Sequence, residues 1–220
     1  MVAKIEKLVH IPVDHVHIEG MLKLPDNAKG IVLFAHGSGS SRHSPRNNYV
    51  ANVLHDSGIG TLLMDLLTPE EDTDYQTRFD IPLLTQRLLI VTSWVWEDAL
   101  TKNLPVGYFG ASTGAAAALQ AAAASGKEIR AVVSRGGRPD LAGQRSLGHV
   151  TCPTLLLVGG WDDVVIELNR EAYACMNCEK ELSIIPNATH LFEEPGTLEE
   201  VARQATAWFV RHLEPLQKQD

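Results

Sequence analysis

Short runs of consecutive apolar residues alternate along this chain with longer stretches whose apolar residues recur every three or four positions. Such runs are typical of β-strands that are covered on both faces, and such stretches are typical of amphipathic helices. Strands are predicted at residues 7–11, 13–24, 31–35, 59–65, 106–109, 129–134, 153–158 and 182–185. Helices are predicted from Pro45 to Gly58, at residues 81–102, 115–124 and 165–176, and from Thr197 onwards, where Glu200 indicates a capping box.

Strands that alternate with helices predict an α/β fold, with a mostly parallel central sheet and helices on both of its faces. The first two strands are joined by a tight turn predicted at Pro12 and form an antiparallel pair. No linker and no internal repeat interrupts the pattern, so residues 1–220 are predicted to form a single domain. Residues 135–152 leave room for only a short helix, and no cap domain is expected there.

The composition is that of an ordinary globular protein. Of the 220 residues, 45% are hydrophobic, the mean hydropathy is -0.05 and the formal net charge is -8. This charge, without any lysine- and arginine-rich run, argues against nucleic-acid binding. No stretch is long and apolar enough to span a bilayer, and residues 1–20 lack the apolar core of a signal peptide. We therefore expect a cytoplasmic protein without nucleic-acid or membrane partners.

Neither the cysteines nor the clustered histidines predict a metal or a cofactor. Three cysteines, an odd number, fit a reducing compartment better than a disulfide framework. Cys175 and Cys178 have the spacing of a redox pair, but they follow a helical pattern, and one pair alone is a poor zinc site. His15, His17 and Glu19 alternate with apolar residues, as expected on a strand with one face in water.

The most informative motif is Gly-x-Ser-x-Gly at residues 110–114. It joins a predicted strand to an alanine-rich helix, which is the strand–turn–helix context that a nucleophile elbow requires. Gly110 and Gly114 flank the turn, where a Cβ would collide with the opposite arm. The turn presents the Ser112 hydroxyl above the sheet at a helix N-terminus, where free N–H groups stabilise developing negative charge.

Further candidate groups follow the carboxyl ends of other predicted strands, the edge at which ligands bind in open α/β sheets. Ser38 follows one such strand, Asp162 and Asp163 follow the penultimate strand, and His190 follows the last. A serine hydroxyl is a weak nucleophile that needs an adjacent base, and His190 is placed to act as one. An aspartate bonded to the imidazole would hold it in the required tautomer.

The chain order of Ser112, an aspartate and His190 resembles the catalytic triad of the α/β-hydrolase superfamily. The resemblance covers nearly the whole chain and is greatest to the small, capless dienelactone-hydrolase-like members. The family pattern Gly-x-x-Asp-x-x-Val matches residues 159–165 and selects Asp162 over Asp163. Dienelactone hydrolases have a cysteine at the elbow, so the resemblance does not extend to their particular substrate.

The resemblance also implies roles for residues in the surrounding loops. The backbone N–H groups of Ser38 and Thr113 would form the oxyanion hole, where loss of one donor typically costs about 2.7–4 kcal/mol of transition-state stabilisation. Arg42 and Arg135 lie in loops expected at the ligand edge. Arginine binds carboxylate or phosphate through two parallel hydrogen bonds, so both are candidate substrate-binding residues. The alternative is that they pair with local acidic residues.

The sequence therefore predicts a serine hydrolase that cleaves small carboxylic esters or lactones through an acyl-enzyme on Ser112. In this hypothesis His190 is the base and Asp162 is the orienting acid. The same residues would also serve a thioesterase or an acyltransferase. A further alternative is a small-molecule binding protein on a hydrolase fold, because a fold does not guarantee a function. The sequence does not indicate an oligomeric state.

Overall fold

The computed structural model describes residues 5–213 and arranges them around one eight-stranded sheet. The strands are β1 (Ile5–Val13), β2 (Val16–Leu24), β3 (Ile31–Ala35), β4 (Gly60–Met64), β5 (Val106–Ala111), β6 (Ile129–Arg135), β7 (Thr154–Gly159) and β8 (Lys180–Ile185). Their order in the sheet is β1-β2-β4-β3-β5-β6-β7-β8. β2 is antiparallel to both β1 and β4, and the other neighbouring strands are parallel. The predicted sheet, mostly parallel with antiparallel N-terminal strands, is confirmed.

Helices cover both faces of this sheet, as predicted. They are α1 (Pro45–Asp56), α2 (Ile81–Glu97), α3 (Thr113–Ser125), α4 (Gln144–His149), α5 (Asp163–Cys175) and α6 (Thr197–His212). On one face, α1 and α6 contribute Leu54 and Phe209 to an apolar cluster that includes the stacked rings of Phe34 and Phe109. On the other face, residues of α2, α3, α4 and α5 join a second and larger cluster. Because β3 and β5 are buried along their whole length, their sequences read as continuous apolar runs.

The turn between β1 and β2 lies beyond Pro12, and its predicted position at Pro12 was wrong. Pro12 lies inside β1 and is opposite His17 of β2. β1 is the edge strand of the sheet, where a residue without an N–H group is tolerated. The turn itself uses Asp14, whose φ of 50° is a left-handed conformation that aspartate adopts in tight turns.

The end of α2 differs most from the sequence-based prediction. α2 ends at Glu97 and does not reach Lys102, because the backbone turns at Asp98, whose carboxylate accepts a hydrogen bond from the N–H of Leu100 at 2.9 Å. Aspartate side chains often compete with a helix in this way.

The last helix has no capping box, although one was predicted. α6 begins at Thr197 with Gly196 in the N-cap position. The Thr197 hydroxyl donates to the carbonyl oxygen of Glu194 at 2.7 Å instead of accepting from the N–H of Glu200. The amide of Glu200 donates to the carbonyl of Gly196.

Two connections at the carboxyl edge of the sheet carry short helical turns. The loop at residues 66–80 contains the 3₁₀ turns Glu71–Thr73 and Thr77–Phe79. A partly buried ion pair between Arg87 and Glu71 joins this loop to α2. Between β6 and β7 there is a 3₁₀ turn, Pro139–Ala142, and the short α4, as the length of this segment predicted. No helix within residues 5–213 has the length and apolarity needed to cross a bilayer.

Candidate active site

Ser112 lies at a strained turn between β5 and α3. Its backbone has φ 50° and ψ -122°, an uncommon conformation for a residue other than glycine. The turn is tight enough that a Cβ on Gly114 would overlap the carbonyl oxygen of Ala35 and lie 2.5 Å from that of His36. The geometry required of a nucleophile elbow is therefore present at the predicted residues.

Hydrogen bonds to the loop that follows β6 hold this strained turn. The amide of Ser112 donates to the carbonyl of Arg135 at 3.2 Å, and the carbonyl of Ser112 accepts from the amide of Arg138 at 3.0 Å. Strain of this kind, of order 1–3 kcal/mol, persists only where the surrounding structure enforces it. The loop after β6 therefore supports the elbow, a role that the sequence did not reveal.

Asp162 and His190 are brought together at the ends of β7 and β8. The Nδ1–H of His190 donates to Oδ2 of Asp162 at 2.6 Å. Asp162 occupies the N-cap position of α5, but its side chain makes no cap hydrogen bond and is available to the imidazole. The His190 side chain is 38% exposed and that of Asp162 is 17% exposed, so the ring can reach a substrate while the carboxylate is shielded. Asp163, by contrast, is an exposed residue of the first turn of α5.

The imidazole of His190 lies beside Gly136, in the loop that is hydrogen-bonded to the elbow. A Cβ at position 136 would lie 3.6 Å from Cε1 of His190, and the preceding residue, Arg135, accepts the Ser112 amide. Gly136 has φ 50°, so a side chain there would be strained as well as crowded. Among residues 5–213 the Ser112 hydroxyl makes no hydrogen bond.

The loop after β3 lies against Ser112. A Cβ on Gly37 would be 2.9 Å from Cβ of Ser112 and 3.6 Å from its Oγ. The next amide, that of Ser38, donates to the side-chain Oγ1 of Thr113 at 3.0 Å. The two residues expected to form the oxyanion hole are therefore neighbours, but the Ser38 N–H already has a partner that sequence reasoning did not foresee.

Arg42 lies in a network of acidic residues. Its guanidinium pairs with Asp65 at the end of β4 and with Glu19 of β2, and its amide donates to Asp65 at 2.6 Å. These groups line a cavity of about 280 Å³ together with His36 and Ser40. Arg42 therefore pairs with nearby acidic residues, which is the alternative that the sequence left open. Its guanidinium is bound to two carboxylates.

Arg135 differs from Arg42 in having no acidic partner among residues 5–213. It is only 8% exposed, and its Nε and Nη1 atoms are buried without a hydrogen-bond partner. Burial, and next the nearby charge of Arg46, lower the pKa of Arg135 to about 10. Arg46 itself forms an ion pair with Glu193, which follows the histidine loop. A buried cation without a partner is costly, and this makes Arg135 the stronger candidate for contact with an anion.

No cluster of three or more potential ligands among His, Cys, Asp and Glu within residues 5–213 is arranged to hold a metal ion. Ser112, His190 and Asp162 thus place a partly buried hydroxyl, an imidazole and a carboxylate at one edge of the sheet.

Solved structures of hydrolases resemble this chain over most of its length. A dienelactone hydrolase from Anabaena variabilis is 54% identical, with 96% of this chain and 99% of that chain covered and a TM-score of 0.92. A cold-adapted esterase from an Arctic intertidal metagenomic library is 18% identical, with 95% of this chain and 94% of that chain covered and a TM-score of 0.78, and it shows the shared fold.

Among curated proteins, two Mycobacterium tuberculosis relatives, from strains CDC 1551 and H37Rv, are 58% identical over 205 residues and are provisionally named phosphoribosyl transferases. The match covers 93% of this chain and 46% of each relative, so the chain spans about half of their length. No protein-family model matches the chain. The identity to the Anabaena enzyme over its full length, together with the sheet order and the elbow, shows that this chain belongs to the α/β-hydrolase superfamily, among its dienelactone-hydrolase-like members.

Proposed function

We propose that this protein is a serine hydrolase that cleaves small carboxylic esters or lactones through an acyl-enzyme on Ser112. The observation that carries the proposal is the 2.6 Å hydrogen bond between His190 and Asp162, formed at the same sheet edge as the strained elbow of Ser112. This combination serves nucleophilic catalysis by a hydroxyl.

In the proposed reaction, Nε2 of His190 takes the proton of the Ser112 hydroxyl as Oγ attacks the ester carbonyl. Asp162 holds the imidazole in the tautomer that leaves Nε2 unprotonated, and it stabilises the imidazolium that forms. The imidazolium then protonates the departing alcohol, which leaves the acyl group on Ser112. Water, deprotonated by His190, releases the acid and regenerates the hydroxyl.

The names of the relatives bear on this proposal in different ways. The 54% identical Anabaena protein, a dienelactone hydrolase, matches along 99% of its length and supports hydrolysis. The relatives named as phosphoribosyl transferases share only 46% of their length with this chain. We therefore assign hydrolytic chemistry to the present chain and do not transfer the phosphoribosyl transferase name to it.

We further propose that Arg135, and not Arg42, contacts acidic groups on the substrate. Arg135 is buried beside the elbow without an acidic partner, whereas Arg42 is paired with Asp65 and Glu19. An ester with a carboxylate would supply the missing hydrogen-bond acceptor. Comparison of acidic and neutral esters with the same leaving group tests this role.

Pre-steady-state hydrolysis of a p-nitrophenyl ester tests the proposed function. We expect a burst of nitrophenol close to one equivalent per protein, which is lost in Ser112→Ala. Addition of an alcohol separates a hydrolase from an acyltransferase by the product formed, and a thioester in the same assay separates a thioesterase. Turnover at the background rate with every ester, together with tight ligand binding, would favour a binding protein instead.

A further inference from the structure

The hydroxyl of Thr113, the residue that follows the nucleophile, is buried beside the two expected oxyanion donors. Thr113 is 2% exposed, and its Oγ1 accepts the Ser38 amide at 3.0 Å across 75 positions of sequence. Its own amide belongs to the first turn of α3, whose leading N–H groups have no partner within the helix. The side chain therefore lies between the two backbone donors.

The proton of this hydroxyl has no protein acceptor among residues 5–213. A threonine hydroxyl has one proton to donate and two lone pairs, and Ser38 uses only one lone pair. Inside a helix, threonine commonly donates to the carbonyl one turn earlier, as Thr92 does to Leu88 at 2.7 Å. Thr113 is the first residue of α3, so no preceding turn offers it such a carbonyl.

Buried hydroxyl groups rarely leave their proton without an acceptor. Thr113 directly follows Ser112, and the Ser38 amide that its hydroxyl accepts belongs to the loop that packs against Ser112 at Gly37. In a chain that runs from the Ser38 N–H through the Thr113 hydroxyl to an anionic oxygen, each hydrogen bond polarises the next.

We propose that the Thr113 hydroxyl donates a hydrogen bond to the oxyanion of the tetrahedral intermediate, and that the Ser38 amide acts through this hydroxyl. The inference rests on the proposed serine-hydrolase function and deepens it. In this inference the Ser38 amide does not contact the oxyanion directly. It donates to Oγ1 of Thr113 and thereby polarises the hydroxyl that contacts the oxyanion. Thr113 is then a catalytic residue through both its amide and its hydroxyl, and Ser38 is a positioning residue.

The test compares Thr113→Val, which removes the hydroxyl with little change of shape, with Thr113→Ser, which retains it. We expect Thr113→Val to lower kcat by about 10²–10³-fold with little change in KM, the effect of losing one oxyanion donor, while Thr113→Ser stays within about fivefold of wild type. Thr113→Ala provides the same comparison if the valine variant does not fold, as judged by its thermal midpoint.

A second readout separates donation from a purely structural role. A trifluoromethyl ketone forms a hemiketal on Ser112, and the pKa of this hemiketal is followed by ¹³C NMR. We expect that pKa to rise in Thr113→Val and to be unchanged in Thr113→Ser. An unchanged pKa in Thr113→Val, equal losses in both variants, or undiminished activity of Thr113→Val would overturn the inference. If the wild-type protein lacks Ser112-dependent turnover, the proposed function itself fails, which is a separate result.

Discussion

Nδ1 of His190 lies 2.6 Å from Oδ2 of Asp162, although 28 positions of sequence separate the two residues. In the proposed mechanism this bond holds the ring in the tautomer whose Nε2 carries no proton and can accept the serine proton. A backbone hydrogen bond also joins the loop after β7 to the loop after β8, because the amide of Trp161 donates to the carbonyl of Ala188 at 2.9 Å. The pairing is thus supported by both side chains and backbone.

Asp162→Asn should reduce kcat by about 10⁴-fold, because an amide favours the wrong tautomer of His190. Asp163→Asn is the matched control: this neighbouring aspartate is exposed, and its replacement should change kcat less than threefold. Steady-state kinetics of both variants with one ester measure the difference. Equal losses in the two variants would show that the His190–Asp162 bond is not what matters for turnover.

Gly114→Ala should strongly destabilise the fold, by 3 kcal/mol or more as an order-of-magnitude estimate, because backbone atoms of Ala35 and His36 occupy the space of the new Cβ. Gly148→Ala in α4 provides the control, since its Cβ would meet nothing closer than 3.6 Å and alanine is the better helix former. Urea unfolding of both variants checks the prediction. A Gly114→Ala protein as stable as wild type would mean that the elbow is less tight than the distances indicate.

Arg135→Met should leave the free energy of unfolding unchanged or raise it by about 1–2 kcal/mol, because it removes a buried cation without an acidic partner. The same variant should lose at least tenfold in kcat/KM for an acidic ester while retaining its activity on a neutral ester. Arg145→Met, at an exposed position, serves as the control for both measurements. Equal losses on acidic and neutral esters would contradict a role of Arg135 in binding the acidic group.

His55 should make the fold less stable as the pH falls below neutrality. It is buried against Thr61, with 2.7 Å between Nε2 and Oγ1, and burial is the main cause that lowers its pKa from 6.5 to about 4. Well above pH 6.5 the ring is neutral in both states and contributes no pH dependence. Between these two pKa values only the unfolded chain takes up the proton, so folding loses up to roughly 1.4 kcal/mol per pH unit.

Urea unfolding between pH 7.5 and pH 5 checks this prediction for His55→Gln and for His43→Gln, an exposed control. The loss of stability with falling pH should be shallower in His55→Gln than in wild type, and unchanged in His43→Gln. Parallel pH dependences in all three proteins would show that His55 does not resist protonation in the folded state.

Local patterns predicted the elements of the fold and the elbow, because their causes are local. Continuous apolar runs identified the buried strands, and the Ser44-Pro45 pair identified the start of α1, where the Ser44 hydroxyl accepts from the amide of Asn47. The turn predicted at Pro12 was misplaced because an edge strand tolerates proline, and the local sequence does not show that β1 lies at the edge of the sheet.

Side-chain partners in the site could not be predicted, because the folded chain brings them together from distant positions. The ion pairs of Arg42 with Asp65 and Glu19 join the loop after β3 to the end of β4 and to β2, and the lack of an acidic group beside Arg135 within residues 5–213 depends on the packing around it. The bond between Ser38 and Thr113 spans 75 positions. A sequence indicates which residue types are present at the sheet edge, but not which of them form hydrogen bonds or ion pairs with one another.

Incubation with a fluorophosphonate followed by mass analysis shows whether Ser112 is an activated serine, because the reagent reacts only with such a residue. We expect one adduct, located on the peptide that contains Ser112, absent from Ser112→Ala and formed far more slowly in His190→Gln. An unmodified Ser112 peptide in the wild-type protein, or an adduct that persists in Ser112→Ala, would contradict the proposed function.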